Sequence, residues 1–295
     1  MTAFRLAHIS DPHLPPPPLP FRWRDSASKR ALSRFAWRRK HHRHDKRVLD
    51  ALTASIAAAR VDHLIVTGDL INFATPEEFA AAKAWLEGLG DPTAVTVSPG
   101  NHDALAAAGA PAGFGPWKAW LGDAPDVAFP HLRLRGPVAI VNLCSAVPTA
   151  PHLATGTLGR AQIEAARGLL AGTEGLYRIV LVHHPVAAGV VSGRKSLTDL
   201  EALRALLAGA GCELVLHGHA HEAVLTGVKG PGGATIPALG VPSASTPAGM
   251  AHDQAARWNE IAVTRDGDGF SARVTAHGIT ADLNVETLGS YALTR

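Results

Sequence analysis

The chain predicts an α/β fold, and three observations predict it. Short apolar strands alternate with amphipathic helices over the first two-thirds of the 295 residues. Five of those strands run straight into turns that carry Asp, Asn or His. The remaining third reads as a run of strands with few helix formers.

The elements follow in order. Phe4–Ile9 is a short buried strand, and LPPPPLP at 14–20 ends it as a stiff polyproline spacer. Residues 26–44 read as a strongly basic helix. Residues 45–60 read as an amphipathic one, with Val48, Leu49, Leu52 and Ile56 on one face. A strand at 64–67 leads into Gly-Asp. Pro76–Leu89 is a helix capped by Thr75, with Pro76 in its first turn. A strand at 94–97 runs into SPGNHD, and the Ala- and Gly-rich stretch 104–122 takes no assignment. Val138–Asn142 is a strand, 160–170 a helix, 179–182 a strand before His-His-Pro, 197–207 a helix, and 214–216 a strand before HGHAH. Strands are expected at 223–228, 235–239, 259–264 and 270–276. No internal repeat or domain boundary stands out, so residues 1–295 are expected to form a single domain. Its one insertion, at about 14–44, is far longer than the roughly 2–6 residues usual between a strand and its helix.

Composition narrows the class. With 46% hydrophobic and 18% charged residues, disorder, collagen and coiled coil are excluded. No apolar run reaches the roughly 18 residues of a membrane span, and the N-terminus lacks a signal-peptide core. Two cysteines, Cys144 and Cys212, form no metal motif or disulfide framework and read as small buried residues, so the expected location is the cytoplasm. Charge is uneven: residues 22–47 hold 11 Lys/Arg against 2 Asp, a local +9, while the other 17 basic and 23 acidic residues leave the body at −6. Within 26–40, Ala31, Leu32, Phe35 and Ala36 fall on one side of a helix, and Lys29, Arg30, Ser33 and Arg34 on the other. Phe21, Trp23 and Trp37 add aromatic rings. Three uses fit this segment: a solvated insertion with its apolar face on the core, a lid over an anionic substrate, or a contact with an anionic membrane surface at the inner face of the membrane. Nucleic acid is disfavoured because no recognition motif accompanies the charge. His41, His42 and His44 read as solvated.

The candidate ligands are Asp11, His13, Asp69, Asn101, His183, His219 and His221. In open α/β sheets the site lies beyond the carboxyl ends of the strands, where these residues would converge. Carboxylate, imidazole and amide without thiolate suit Mn, Fe, Zn or Mg and disfavour a structural zinc site. Seven ligands exceed what one ion takes, so two ions sharing a carboxylate fit better. Glycine at 68, 100 and 218 permits tight turns that bring the following side chain inward.

The ordered set D-x-H (Asp11, His13), G-D (Gly68, Asp69), G-N-H-D (Gly100 to Asp103), H (His183) and G-H-x-H (Gly218 to His221) resembles the calcineurin-like metallophosphoesterases over residues 4–221. The resemblance implies two mixed β-sheets flanked by helices in a four-layer α/β/β/α sandwich. It implies two metal ions, with Asp11, His13 and His221 on the first, Asn101, His183 and His219 on the second, and Asp69 bridging. It further implies hydrolysis of a phosphate ester by a hydroxide shared between the metals. His102 would assist the leaving group, and Asp103 would hold the His102 ring in place. Arg194 and Lys195, on a Gly-rich loop, and His217 are candidate substrate contacts; a solvated charge pair and a packed histidine are the plainer readings, as packing is for His184. The segment SASTPAG at 243–249 is a candidate wall of the site that no motif supports. Protein phosphatases of this family carry G-D-x-x-D-R-G, whereas here Gly68-Asp69-Leu70-Ile71-Asn72 continues with Phe73. The expected substrate is therefore a small anionic phosphodiester, as in bacterial cyclic-nucleotide and glycerophosphodiester enzymes. The alternative is a membrane-associated lipid pyrophosphatase similar to UDP-diacylglucosamine hydrolases, with a catalytically inactive metal-binding scaffold as a minor third.

Overall fold

A computed structural model describes residues 3–18, 29–105, 114–124, 126–251 and 253–293. Two six-stranded mixed sheets stack face to face, each covered on its outer side by helices. This is the α/β/β/α arrangement expected from the family resemblance. The strands are β1 (Phe4–Ile9), β2 (His63–Val66), β3 (Val95–Val97), β4 (His131–Arg135), β5 (Val138–Asn142), β6 (Tyr177–Leu181), β7 (Leu214–His217), β8 (Val224–Lys229), β9 (Thr235–Gly240), β10 (Arg257–Asp266), β11 (Gly269–Ile279) and β12 (Val285–Leu293). The helices are α1 (Lys29–Lys40), α2 (Lys46–Ala59), α3 (Pro76–Leu89), α4 (Lys118–Leu121), α5 (Arg160–Ala171) and α6 (Leu200–Ala210). The first sheet runs β12-β11-β10-β1-β2-β3 and the second β4-β5-β6-β7-β9-β8.

The central strands are apolar on both faces because each face is covered. In β1, Leu6 points between the sheets, where it meets Ile65, Ile179, Leu214 and Leu216. Its neighbour Ala7 points the other way, into the layer of Leu49, Leu52 and Ile56 from α2 and Phe79 and Leu86 from α3. The second sheet repeats this with Val141, Val180 and Val215 against Ile163 and Leu170 of α5 and Leu203, Leu206 and Leu207 of α6.

Parallel pairing of β1 with β2, β2 with β3 and β6 with β7 puts five carboxyl ends at one rim of the sandwich. The two sheets are tied together there. Ser98 Oγ donates to the Leu143 carbonyl at 2.8 Å, and His183 Nδ1 donates to the Thr67 carbonyl at 2.7 Å.

Several elements differ from expectation. The expected helix at 197–207 begins three residues later, because Leu197 is held in a bridge beside Gly156. Strands β4 and β12 were not foreseen: HLRLR carries two arginines in five residues, and β12 is a mostly exposed edge with Gly289 in its interior. The unassigned stretch resolves at its end into a short turn and α4; residues 106–113 lie outside the described residues. Of the polyproline segment, 14–18 carry no helix or strand. Residues 19–28, with Phe21 and Trp23, lie outside the described set.

The insertion helix is the main surprise. Leu32 and Phe35 do not pack on the core but are 50% and 58% exposed. α1 is instead held by its cationic and aromatic residues. Arg30 donates to the Phe73 and Ala74 carbonyls at 2.9 and 2.7 Å, Lys29 donates to the Leu153 carbonyl at 2.8 Å, and Trp37 packs against the core.

Candidate metal centre

Three of the five strand ends, those of β1, β2 and β7, deliver their side chains through strained turns. Asp11, His13, Asp69, His219 and His221 all have left-handed backbone, with φ of +51°, +43°, +53°, +65° and +57°. Such conformations cost L-residues energy and gather where function demands them. Each reverses the chain just past a strand, so the side chain turns back over the rim. Gly68, at φ +99°, has no room for a Cβ, which would lie 2.5 Å from His183 Nδ1. Gly218 is needed for close approach: a Cβ there would lie 2.5 Å from Asp11 Oδ2.

The result is two adjoining clusters, Asp11, His13 and His221, and Asp69, His183 and His219, each with its candidate ligand atoms within 4.8 Å of one another. His221 Nε2 lies 3.1 Å from Asp11 Oδ1 and 3.4 Å from His13 Nε2. Asp69 Oδ2 stands between the clusters, 3.9 Å from His13 Nε2 and 3.4 Å from His183 Nε2. Asn101 joins the second cluster, its Oδ1 3.2 Å from His183 Nε2.

These residues fit a pair of metal ions. His219 Nε2 is buried without a hydrogen-bond partner among the described residues. His183 and His13 spend Nδ1 on the Thr67 carbonyl and on Asn72 Oδ1, which leaves Nε2 of both rings for the centre. Burial pushes the Asp11 and Asp69 carboxyls up, but His221 beside Asp11, and His183 and His102 beside Asp69, hold both below their ordinary value. Burial keeps His13 and His219 neutral, while Asp69 and Asp11 outweigh burial at His183, raised to about 10, and at His221, so a cation at the centre would displace the protons of those two rings. Ionised carboxylates and neutral imidazoles are the forms that bind cations.

Around the centre, Asn72 does more than its place in the sequence suggested. Its Oδ1 accepts from His13, its carbonyl accepts from His102 Nδ1 at 3.0 Å, and its Nδ2 donates to the Leu14 carbonyl at 2.7 Å. Asp103, expected to hold the His102 ring, is committed elsewhere. Its two oxygens accept the backbone N–H groups of Ile71 and Gly100 at 3.1 and 2.8 Å, so it fixes the turn while the Asn72 carbonyl holds the ring. Burial, reinforced by the Asp69 charge, pushes the Asp103 carboxyl well above its usual range.

A cavity of about 340 Å³ opens over the clusters, lined among others by His102, Phe73, Trp37, His44, Arg43 and Lys195. Lys195 is thus at the cavity. Arg194 is exposed beside it, off the lining, and His217 is fully buried beneath Gly240 and cannot touch a substrate. His184 packs, with both ring nitrogens bonded, to Ser145 Oγ and the Ala154 carbonyl. Thr246 lines the cavity and Ser243 Oγ donates to the Asp11 carbonyl, so 243–249 does wall the site. His44, read as solvated, lies inside it. Its ring centroid is 4.4 Å from that of His13, and burial lowers its pKa to about 3. No local pattern signals this, because α1 must first fold back over the rim. His42 is exposed as expected, and the His41 side chain lies outside the described residues.

A family model described as calcineurin-like phosphoesterase matches residues 4–223. Among solved structures, the chain is similar to a purple acid phosphatase from seeds of yellow lupin (Lupinus luteus), at 11% identity and a TM-score of 0.62, covering 100% of this chain and 54% of that one. It is also similar to a sulfate thiohydrolase from Thermus thermophilus, at 15% identity and a TM-score of 0.52, covering 92% of this chain and 55% of that one. The chain spans about half the length of both, and at such identities the likeness is one of fold. Among curated proteins none matches significantly.

Proposed function

The chain belongs to the calcineurin-like phosphoesterase family, and from that premise we propose that it is a metal-dependent phosphoric ester hydrolase whose substrate is a phosphodiester, with His102 assisting the leaving oxygen. One observation carries the diester reading. Phe73 stands where an Arg would grip a monoester dianion, and its side chain lines the cavity. Among the described lining residues the cations are Lys195 and Arg43, and Arg43 is ion-paired with Asp253 at 3.2 Å. A dianionic monoester wants a forked guanidinium clamp, whereas a diester carries less charge and needs less.

Two bound metal ions would supply an activated water and neutralise charge on the phosphate oxygens. The protein supplies the rest. His102, its Nδ1–H spent on the Asn72 carbonyl, is left with Nε2 to carry a proton towards the leaving oxygen. Asp103 and Asn72 keep the His102 turn and the His13 ring in register. Trp37 and His44 line one side of the cavity.

The test is a hydrolysis screen of the Mn-loaded protein on bis(p-nitrophenyl) phosphate, p-nitrophenyl phosphate, cyclic AMP and a UDP-linked lipid. Preference for the diesters supports the reading; faster turnover of the monoester overturns it.

A second reading has its own observation. α1 walls the cavity while presenting Leu32 and Phe35 outward, with Arg39 4.6 Å over the Phe35 ring. Exposed apolar residues among basic ones suit an anionic membrane surface and a lipid pyrophosphate substrate. Among the described residues no helix is long and apolar enough to cross a membrane. Co-sedimentation with phosphatidylglycerol vesicles, abolished by Leu32→Ser with Phe35→Ser, supports this reading; no sedimentation of the intact protein overturns it.

A further inference from the structure

We infer that His44 is a substrate contact whose Nε2 accepts a hydrogen bond from a hydroxyl on the alcohol portion of the substrate, beside the scissile phosphate. The inference rests on the phosphodiester reading and names the substrate class within it: esters of a hydroxyl-bearing alcohol, such as a glycerol or ribose moiety.

The ring is fixed before any ligand arrives. It stacks on Trp37 with centroids 5.3 Å apart and planes within 3°, and its Nδ1 lies 2.9 Å from Ser245 Oγ. The next residue is anchored as well, Asp45 N–H donating to the Ser245 carbonyl at 2.8 Å. From this position His44 faces the first metal cluster, 4.4 Å from the His13 ring and 6.0 Å from the His221 ring.

Hydrogen-bond accounting then assigns the ring protons. Ser243 Oγ lies 2.7 Å from the Asp11 carbonyl, which can only accept, so Ser243 spends its proton there. Its oxygen is therefore an acceptor for the Ser245 hydroxyl, 3.2 Å away. With its own proton donated to Ser243, Ser245 Oγ accepts from His44 Nδ1–H. This direction satisfies every member of the chain; the reverse leaves the two serine oxygens facing each other without a hydroxyl proton between them. His44 Nε2 consequently carries a lone pair, and it is the polar ring atom left for the cavity.

His44 stands outside both ligand clusters, against the His13 ring. Its Nε2 lone pair has no hydrogen-bond donor among the described side chains. Phosphate oxygens cannot fill the role, because at neutral pH they accept and do not donate. A hydroxyl on the esterifying alcohol can. An acceptor on the cavity wall, held in place by Trp37 and Ser245, favours ligands that bring a matching donor over ligands that lack it.

The test compares glyceryl p-nitrophenyl phosphate with ethyl p-nitrophenyl phosphate, which differ in the hydroxyls. The metal-loaded protein is expected to favour the glyceryl ester in kcat/KM by about tenfold, the size of one good hydrogen bond. His44→Asn keeps a donor for Ser245 but removes the cavity nitrogen, so the ratio of the two esters should fall towards one. His44→Gln, which returns a polar atom near Nε2, should recover part of the preference. Elemental analysis should find two metals per chain in both variants. Equal rates on the two esters in the unaltered protein overturn the inference alone, as does an equal loss on both in His44→Asn or a loss of metal there. Hydrolysis of neither ester with two metals bound overturns the phosphodiester reading and this inference with it.

Discussion

Asn72 is the residue on which the centre turns, because one side chain and its own carbonyl orient two different histidines. Asn72→Ala removes the acceptor for His13 Nδ1 and the donor to Leu14, while the backbone bond to His102 stays. Metal affinity should fall about 10–100-fold, the usual cost of losing a ligand-orienting partner; chelator competition showing wild-type affinity would refute the role. Asp69→Ala should cost at least one metal per chain by elemental analysis, since its Oδ2 stands between the clusters. His102→Ala should keep both metals and lose roughly 10²-fold or more in turnover; metal loss along with activity would make it a ligand instead. At this scale the two candidate clusters were legible in the sequence, because metal chemistry restricts residue type. Asn72 was not, since an asparagine in a turn looks like any turn residue until His13 and His102 close over it. His44 escaped for the same reason.

The first turn of α3 shows how an element serves the site. Its capping box pairs Thr75 with Glu78, but Glu78 also accepts from the backbone N–H groups of Asn72 and Phe73. A carboxylate only 1% exposed thus holds the loop that carries Asn72. Glu78→Ala would strand three N–H donors, at about 1–3 kcal/mol for each one left buried and unpaired. A loss of ~3 kcal/mol or more in urea unfolding is expected, with weaker metal binding; wild-type stability would show that the loop holds itself. The cap was readable from Thr75 and Pro76, but the reach of Glu78 into the loop was not. α1 makes the converse point. Its pattern reads as a helix with an apolar face to bury, yet Trp37, Lys29 and Arg30 dock it and Leu32 and Phe35 stay outside. Side-chain carbonyl-seeking groups decided its orientation, and a helical projection cannot show where carbonyls lie.

Across the whole molecule, two measurements address stability. Burial lowers the pKa of His8 and His63 from 6.5 to about 3. The folded state therefore refuses protons that the unfolded chain accepts, and stability should fall as pH drops from about 6.5 towards 3, by about 1.4 kcal/mol per pH unit for each histidine. His63→Gln should show a shallower fall in Tm between pH 6.5 and 4; an unchanged slope would mean His63 titrates normally. Stripping metal should also lower Tm. Saturation at about 100 Kd is worth ~2.7 kcal/mol, or ~4 °C for a chain of this size, and an unchanged Tm would show that no metal binds the folded state. By itself the sequence determined the alternation of strands and helices and the residue types at five strand ends. Local periodicity and metal-ligand chemistry both leave marks that need no third dimension. The tertiary structure alone decided which carbonyl orients His102, that Asp103 serves the backbone, that His217 is sealed in the core, and that the segment after α1 brings His44 against the candidate metal clusters. Those outcomes depend on contacts between residues far apart in the chain, such as Asn72 with His102 and His44 with Ser245, and on which groups win a limited number of buried acceptors.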